Sequence, residues 1–195
     1  HTPTRILFGK GAIEKLHEQI PAEARVLITY GGGSVKKTGV LDQVLTALNG
    51  LDVLEFGGIE PNPSYETLMN AVKLAREEKV TFLLAVGGGS VLDGTKFIAA
   101  AAHYDADIDP WEILETYGSK IASAIPMGSV LTLPATGSES NKGAVISRKT
   151  TGDKRAFMSS HVQPQFAILD PVYTYTLPQR QVANGVVDAF VHTVE

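Results

Sequence analysis

Two short segments of the sequence have the same form, an apolar run followed by three glycines, a serine and a helical pattern. They span residues 31–34 and 87–90, and each reads GGGS. Because glycine has no Cβ atom, backbone N–H groups in such a segment can approach an anion closely, and the following helix adds its positive end. Together with Asn62, at the exit of the apolar run between them, the segments predict a site for a phosphate-bearing ligand. Tight turns that hold no ligand are the alternative.

The chemistry of the first glycine segment bears on which nucleotide it would hold. Neither segment matches the G-x-G-x-x-G dinucleotide fingerprint or the G-x-x-x-x-G-K-[ST] loop of nucleoside triphosphatases. The first segment also lacks an Asp or Glu, which would bond the adenosine 2′-hydroxyl and repel a 2′-phosphate. Gly32, Gly33 and Ser34 instead offer N–H and hydroxyl donors, with Lys36 and Lys37 close by. This donor set favours NADP(H) over NAD(H).

A carboxylate and an imidazole occur together near the end of the chain. Asp188 and His192 are four residues apart in an otherwise apolar helical segment, so they share one helical face. Such a pair can bind a divalent metal, although a zinc site usually takes three or four protein ligands. A hydrogen bond between the two side chains at a domain junction is the alternative.

Alternating apolar runs and amphipathic segments must position these residues. The apolar runs are typical of strands covered on both faces, and their alternation with helices implies parallel strands joined by right-handed crossovers. Ser64 is placed to cap the third helix. The fold class predicted is therefore α/β. The predicted strands are residues 5–8, 25–30, 52–56 and 80–86, and the predicted helices are residues 12–19, 39–48, 64–79 and 90–102.

The second half of the chain has a different pattern. Short strands without long helices between them are predicted at residues 127–133, 144–148, 155–157 and 166–169, and a helix at residues 179–195. Pro178 suits the first turn of that helix. We therefore expect a dinucleotide-binding domain over residues 1–177 and the start of a helical domain over residues 178–195. The first residue is His1 rather than Met, so we also expect a trimmed start.

Composition excludes several classes of protein. Of 195 residues, 44% are hydrophobic, and 17 Lys+Arg against 21 Asp+Glu give a net charge of −4. The apolar fraction is too high, and the net charge too low, for a disordered chain. A protein that binds nucleic acid nonspecifically would have a basic surface, which this charge does not indicate. The sequence has no Cys, which excludes a disulfide scaffold and thiolate ligands. No apolar run approaches the roughly 20 residues of a membrane span. We expect a globular cytoplasmic protein without nucleic-acid or membrane partners.

Spaced motifs run through the whole chain. They are PTRILFGKG at 3–11, PNP at 61–63, GGGSVLD at 87–93 with Lys96, TLPATGSE at 132–139 with Lys154, AILD at 167–170, Pro178, Ala183, Gly185, DAF at 188–190 and Glu195. With these motifs the chain resembles the amino-terminal part of the iron-containing (group III, metal-dependent) alcohol dehydrogenases. Within that family it is most similar to the bacterial NADP-dependent aldehyde reductases of the butanol dehydrogenase type. Leu133, Pro134 and Ala135 depart from the family's usual residues.

The resemblance implies a fold and a set of site residues. The fold is a Rossmann-like parallel sheet with flanking helices, followed by an all-helical domain, with cofactor and metal in the cleft between them. The resemblance assigns the cofactor in three parts. The 2′-phosphate would be contacted by Gly32, Gly33 and Ser34. The ribose and pyrophosphate would be contacted by Asn62, Gly88, Gly89, Ser90 and Asp93, with Asp93 nearest the nicotinamide. The nicotinamide half would be lined by Thr132, Thr136, Ser138, Asn141 and Lys154.

The resemblance also implies a metal and a reaction. Asp188 and His192 would be two of four ligands to Fe²⁺ or Zn²⁺, and with Asp93 they would form the catalytic set. The implied reaction is the NADP(H)-dependent reduction of aldehydes to primary alcohols, with the metal as Lewis acid, in a homodimer. An NAD-linked polyol or diol dehydrogenase of the same superfamily is one alternative. A nucleotide-binding module without activity, for these 195 residues alone, is the other.

Overall fold

Eight strands alternate with helices in the computed structural model, which describes residues 3–176. The helix predicted over residues 179–195, the boundary near residue 178, and Asp188 and His192 lie outside the described residues. The strands are β1 (Arg5–Phe8), β2 (Arg25–Thr29), β3 (Asp52–Phe56), β4 (Phe82–Gly88), β5 (Met127–Leu133), β6 (Gly143–Arg148), β7 (Asp153–Met158) and β8 (Phe166–Leu169).

Six of these strands form one sheet in the order β1-β8-β5-β4-β2-β3. Every neighbouring pair in that sheet is parallel, which confirms the predicted α/β class. Strand β4 lies two residues later than the predicted 80–86, and Gly87 and Gly88 continue its pairing with β5 opposite Leu131 and Leu133. The second glycine segment therefore begins inside the sheet.

The helices agree with the predictions where they are long. Ser64 caps α4, accepting a hydrogen bond from the Thr67 backbone N–H at 3.3 Å, as predicted. The helical segment predicted over residues 12–19 is confirmed in extent, although its first half is a 3-10 helix (Ala12–Lys15) that leads into one α-helical turn. The helices are α1 (Leu16–Gln19), α2 (Ser34–Lys37), α3 (Val40–Ala47), α4 (Tyr65–Glu77), α5 (Gly89–Ala102) and α6 (Glu112–Glu115).

The core lies in two layers, one on each face of the sheet. Helices α4 and α5 cover one face, where Leu68, Val72 and Phe97 are fully buried. Helices α1 and α3 cover the other face through Leu16 and Val44. Burial of these apolar side chains stabilises the sheet that carries both glycine segments. Among the described residues, no helix is long and apolar enough to cross a membrane.

The remaining two strands, β6 and β7, form an antiparallel hairpin outside the main sheet. They pair from Gly143 with Met158 to Arg148 with Asp153, around a turn containing Gly152 at φ +73°. Ala144 and Ile146 bury the inner side of the hairpin in the layer formed by α4 and α5. The hairpin thus lies over the helices that start near the glycine segments and the 61–63 turn.

Candidate active site

The two glycine segments lie at the carboxyl ends of β2 and β4, which are adjacent in the sheet. From β2 the chain passes outward to β3 and then returns past β2 to β4, so the strand order reverses between them. Open α/β sheets bind ligands at the carboxyl ends of the strands at such a reversal. The exit of β3 is tied to the first segment, because the Gly58 N–H donates to the Gly31 carbonyl at 2.9 Å.

The first glycine segment presents backbone to open space. Apart from the glycine itself and its two chain neighbours, no described residue has a heavy atom within 4 Å of a Cβ built on Gly32 or Gly33, and Gly33 has φ +120°, which L side chains rarely adopt. Ser34 is exposed, and Lys36 Nζ lies 5.3 Å from the Tyr30 ring centroid, a cation–π contact that keeps a positive charge at this end. The segment has room and donors for an anionic group.

The second glycine segment is more tightly packed. A Cβ on Gly87 would lie 2.8 Å from Val91 Cγ2, and one on Gly89 would lie 3.1 Å from Thr136 Oγ1. The N-cap residue of the 14-residue helix α5 is Gly88, which has no side chain to accept a hydrogen bond from the first turn. The first N–H groups of that helix have no intrahelical partner, and this arrangement suits a pyrophosphate.

The hairpin closes one side of this region. Lys154 Nζ on β7 donates to Asn62 Oδ1 at 3.0 Å, so these two predicted cofactor residues lie together. The Ser147 N–H on β6 donates to the Pro63 carbonyl at 2.9 Å, which holds the hairpin against the turn after β3. Asn62 itself has φ +53°, a left-handed conformation that asparagine tolerates better than most residues.

Asp93 is held at both of its carboxylate oxygens. Oδ1 accepts from the Ser138 hydroxyl at 2.7 Å, and Oδ2 accepts from the Val145 N–H on β6 at 3.0 Å. One bond comes from the loop after β5 and the other from the hairpin. Asp93 therefore joins α5 to both segments that border the glycine region.

Lys96, one helical turn after Asp93, is fully buried. Its ammonium donates to Ser138 Oγ at 2.9 Å, Asn141 Oδ1 at 2.8 Å and the Gly143 carbonyl at 2.9 Å. Burial lowers the pKa of Lys96 to about 8, against the opposing charges of Asp93 and Glu139. The role of Lys96 is not evident from the sequence motifs, although its position three residues after Asp93 indicates that both side chains share one helical face.

The structure thus brings most of the predicted cofactor residues into three groups. Gly32, Gly33 and Ser34 lie after the end of β2. Gly88, Gly89 and Ser90 open α5, with Thr136 beside Gly89 and Thr132 at the end of β5. Ser138 and Asn141 accept hydrogen bonds from Lys96, and Asp93 accepts one from Ser138. The predicted metal ligands lie outside the described residues, and within residues 3–176 no three His, Asp or Glu side chains form a group that could hold a metal ion.

Comparison with known proteins places this arrangement in context. A family described as iron-containing alcohol dehydrogenase matches residues 3–171. The chain is 85% identical over 195 residues to the NADPH-dependent aldehyde reductase YqhD of Escherichia coli K12, covering 50% of that protein. A crystal structure of E. coli K-12 YqhD matches it with TM-score 0.96 at 85% identity, over 100% of this chain and 50% of that one. The NADH-dependent butanol dehydrogenase A of Thermotoga maritima matches at 42% identity and TM-score 0.91, over 100% and 49%.

These matches confirm the resemblance inferred from the motifs. The chain spans about half the length of the relatives named here. The matched residues 3–171 include both glycine segments, the 61–63 turn, the hairpin and the contacts of Lys96. Because the family match covers most of the chain, the chain belongs to the iron-containing alcohol dehydrogenase family.

Proposed function

We propose that this chain forms the cofactor-binding part of an enzyme that reduces aldehydes to primary alcohols with NADPH and catalyses the reverse oxidation. The observation that carries the proposal is the pair of glycine segments at the β2–β4 reversal, with open backbone at Gly32 and Gly33 and an uncapped helix after Gly88. Membership of an alcohol dehydrogenase family supports the reaction class. The names of the relatives, an aldehyde reductase and a butanol dehydrogenase, support small aldehydes and alcohols as substrates.

The residues of this chain would act by binding and orienting the cofactor. Ser34 and the N–H groups of Gly32 and Gly33 would hold the 2′-phosphate, and the start of α5 would hold the pyrophosphate. Thr132, Thr136 and the Lys154–Asn62 pair would border the nicotinamide half. When bound, NADPH supplies the hydride for the carbonyl carbon. Holding the nicotinamide in a fixed position is the contribution of the protein to that transfer.

We further propose a divalent metal held by Asp188 and His192, at the start of a helical domain over residues 178–195. When bound, Fe²⁺ or Zn²⁺ polarises the carbonyl oxygen as a Lewis acid. The family's description supports iron, while an Asp/His donor set suits either ion. Asp93 would complete the catalytic residues, since it is fixed at both oxygens beside the proposed nicotinamide half.

An NAD-linked enzyme of the same family is the alternative, and the relative named NADH-dependent at 42% identity favours it. The first glycine segment favours NADP(H), because it offers donors and no carboxylate. Calorimetric titration of the full-length protein with NADPH and NADH distinguishes the two. We expect NADPH to bind more tightly by at least about tenfold, the value of one charge-assisted hydrogen bond. Equal affinities would refute the role of the segment in 2′-phosphate recognition.

We also propose a homodimer in the cytoplasm. Strand β1 lies at the edge of the sheet, and its Ile6 and Phe8 side chains are 48% and 75% exposed within the described part of the chain. Exposed apolar side chains on an edge strand are a means of self-association. The absence of Cys from all 195 residues fits a reducing compartment. Light scattering on the full-length protein and on its Phe8→Lys variant tests the dimer, which the variant should weaken.

A further inference from the structure

We propose that Lys96 is a positioning residue for the nicotinamide half of the cofactor site. Its ammonium fixes the loop after β5 on helix α5 and, through Ser138, sets the orientation of Asp93. This inference rests on the proposed function, because it concerns the same cofactor. It adds a residue that would itself touch neither cofactor nor substrate.

The contacts of Lys96 all lie on one segment. A lysine ammonium has three N–H donors, and here all three are used, on Ser138, Asn141 and Gly143 at 2.8–2.9 Å. The three acceptors lie within six consecutive residues, and the lysine lies on a different element, α5. The charge therefore holds one loop in one position on one helix.

The hydroxyl of Ser138 connects Lys96 to Asp93, because it hydrogen-bonds both side chains. Because the Ser138 oxygen accepts from Lys96, its own hydrogen is free to point to Asp93 Oδ1, 2.7 Å away. The other oxygen of Asp93 is already held by the Val145 N–H. The chain of contacts from Lys96 through Ser138 thus fixes the remaining freedom of this carboxylate.

A buried charge is an unfavourable choice for a purely structural contact. Taking an ammonium out of water costs free energy, and an apolar side chain of similar volume often stabilises such a site as well or better. Lys96 is fully buried in a helix whose neighbours Phe97 and Ile98 are also fully buried. A group that is costly to bury and that orients three polar partners points to a requirement for orientation rather than for packing.

The proposal predicts an effect limited to one half of the cofactor. The acceptors of Lys96 include Ser138 and Asn141, which are assigned to the nicotinamide half. The first glycine segment, assigned to the adenosine half, follows β2 and shares none of these hydrogen bonds in the described part of the chain. Adenosine 2′,5′-bisphosphate carries only the adenosine half, so it serves as the control ligand.

The test is calorimetric binding of NADPH and of adenosine 2′,5′-bisphosphate to the full-length protein and its Lys96→Met variant. We expect NADPH affinity to fall by about tenfold or more, as for loss of charge-assisted hydrogen bonds, with bisphosphate affinity unchanged. The fluorescence of bound NADPH should also shift, because the nicotinamide is the fluorophore. Lys73→Met, the same change at a lysine whose side chain is 75% exposed, is the matched control and should alter neither ligand.

A second variant keeps the proposal testable if Lys96→Met folds poorly. Ser138→Ala removes the link to Asp93 and leaves Lys96 two of its acceptors. Where both variants fold, their effects on NADPH affinity should be non-additive, since one side chain acts through the other. Equal weakening of both ligands, or no change in NADPH binding with either variant, would overturn the role of Lys96. Failure of the unmodified protein to bind either ligand would instead overturn the proposed function itself.

Discussion

At the residue scale, the proposed preference for NADP(H) depends on what the first glycine segment presents to the adenosine ribose. Ser34 is exposed there and opens the short helix α2, while Gly32 and Gly33 leave the adjoining space open. A carboxylate at this point would repel a 2′-phosphate and accept a bond from a 2′-hydroxyl. One side chain is therefore expected to decide between the two cofactors.

The Ser34→Asp variant tests this expectation. An Asp is well tolerated at the start of a helix, so folding should be preserved. The dissociation constant of NADPH should rise by about 10- to 100-fold, as for the loss of one or two charge-assisted hydrogen bonds, while that of NADH changes little. Ser34→Ala, which removes the hydroxyl without adding charge, should produce a smaller loss. Equal weakening of both cofactors by Ser34→Asp would contradict the assignment.

Titration of Lys96 gives a second prediction at this scale. Burial lowers its pKa from 10.5 to about 8, so between these values the unfolded chain holds a proton that the native chain has lost. The stability contribution of Lys96 should therefore rise with pH across this window and be lowest below pH 8. Urea unfolding of the full-length protein and its Lys96→Met variant at pH 7, 8, 9 and 10 measures the difference. A difference in unfolding free energy that stays constant with pH would contradict the lowered pKa.

At the element scale, the β6–β7 hairpin depends on polar and aromatic contacts as well as apolar burial. Arg148, at the end of β6, lies over the rings of Tyr65 and Trp111, at 4.9 and 5.2 Å from their centroids, and 3.6 Å from Asp109. Tyr65 also donates to Asp109, and burial together with that carboxylate raises the pKa of the Tyr65 hydroxyl. This cluster fixes the hairpin to α4 and to the loop before α6.

The Arg148→Met variant should loosen that attachment. We expect a loss of about 1–3 kcal/mol in unfolding free energy, from two cation–π contacts and one partly buried ion pair. Lys73→Met, which removes the exposed ion pair with Glu77, should cost less than about 0.5 kcal/mol. Chemical denaturation of both variants provides the comparison. Similar losses in the two variants would show that the cluster does not anchor the hairpin.

Local patterns predicted the elements better than their pairing. Strands 5–8, 52–56, 127–133 and 166–169 were placed correctly, because apolar runs between Gly and Pro residues mark strands locally. The partners of a strand depend on residues far away in sequence, so neither the pairing of β1 with β8 nor the separate hairpin was predicted. In the site, the glycine segments could be predicted because each is a contiguous run in the sequence. The contacts of Lys96 with residues 138–143 could not be predicted, since they depend on tertiary packing.

At the scale of the whole molecule, the candidate site draws on nearly all of the described chain. Strand β1 pairs with β8, and the Gly11 N–H donates to Asp170 Oδ2 at 2.8 Å, so the two ends of the described region meet at one side of the sheet. The proposed cofactor contacts come from the ends of β2, β3, β4 and β5 and from the hairpin. A cofactor held this way needs the complete sheet, whereas the proposed metal needs ligands that the described residues do not provide.

This division predicts different outcomes for binding and catalysis by these 195 residues alone. NADPH should bind weakly, because the family resemblance implies an all-helical domain as the other side of the cofactor cleft, and butanal should not be reduced at a measurable rate even with added Fe²⁺ or Zn²⁺. The reason is that Asp188 and His192 are two of the four ligands implied by the family resemblance, and a site with two ligands holds a metal poorly.

The full-length protein under the same conditions is the positive control, with NADPH absorbance as the readout. Binding of adenosine 2′,5′-bisphosphate to the isolated chain would show that its sheet is intact, so that absent turnover reflects the missing ligands. Steady NADPH oxidation by the isolated chain would instead mean that these residues contain a complete catalytic site.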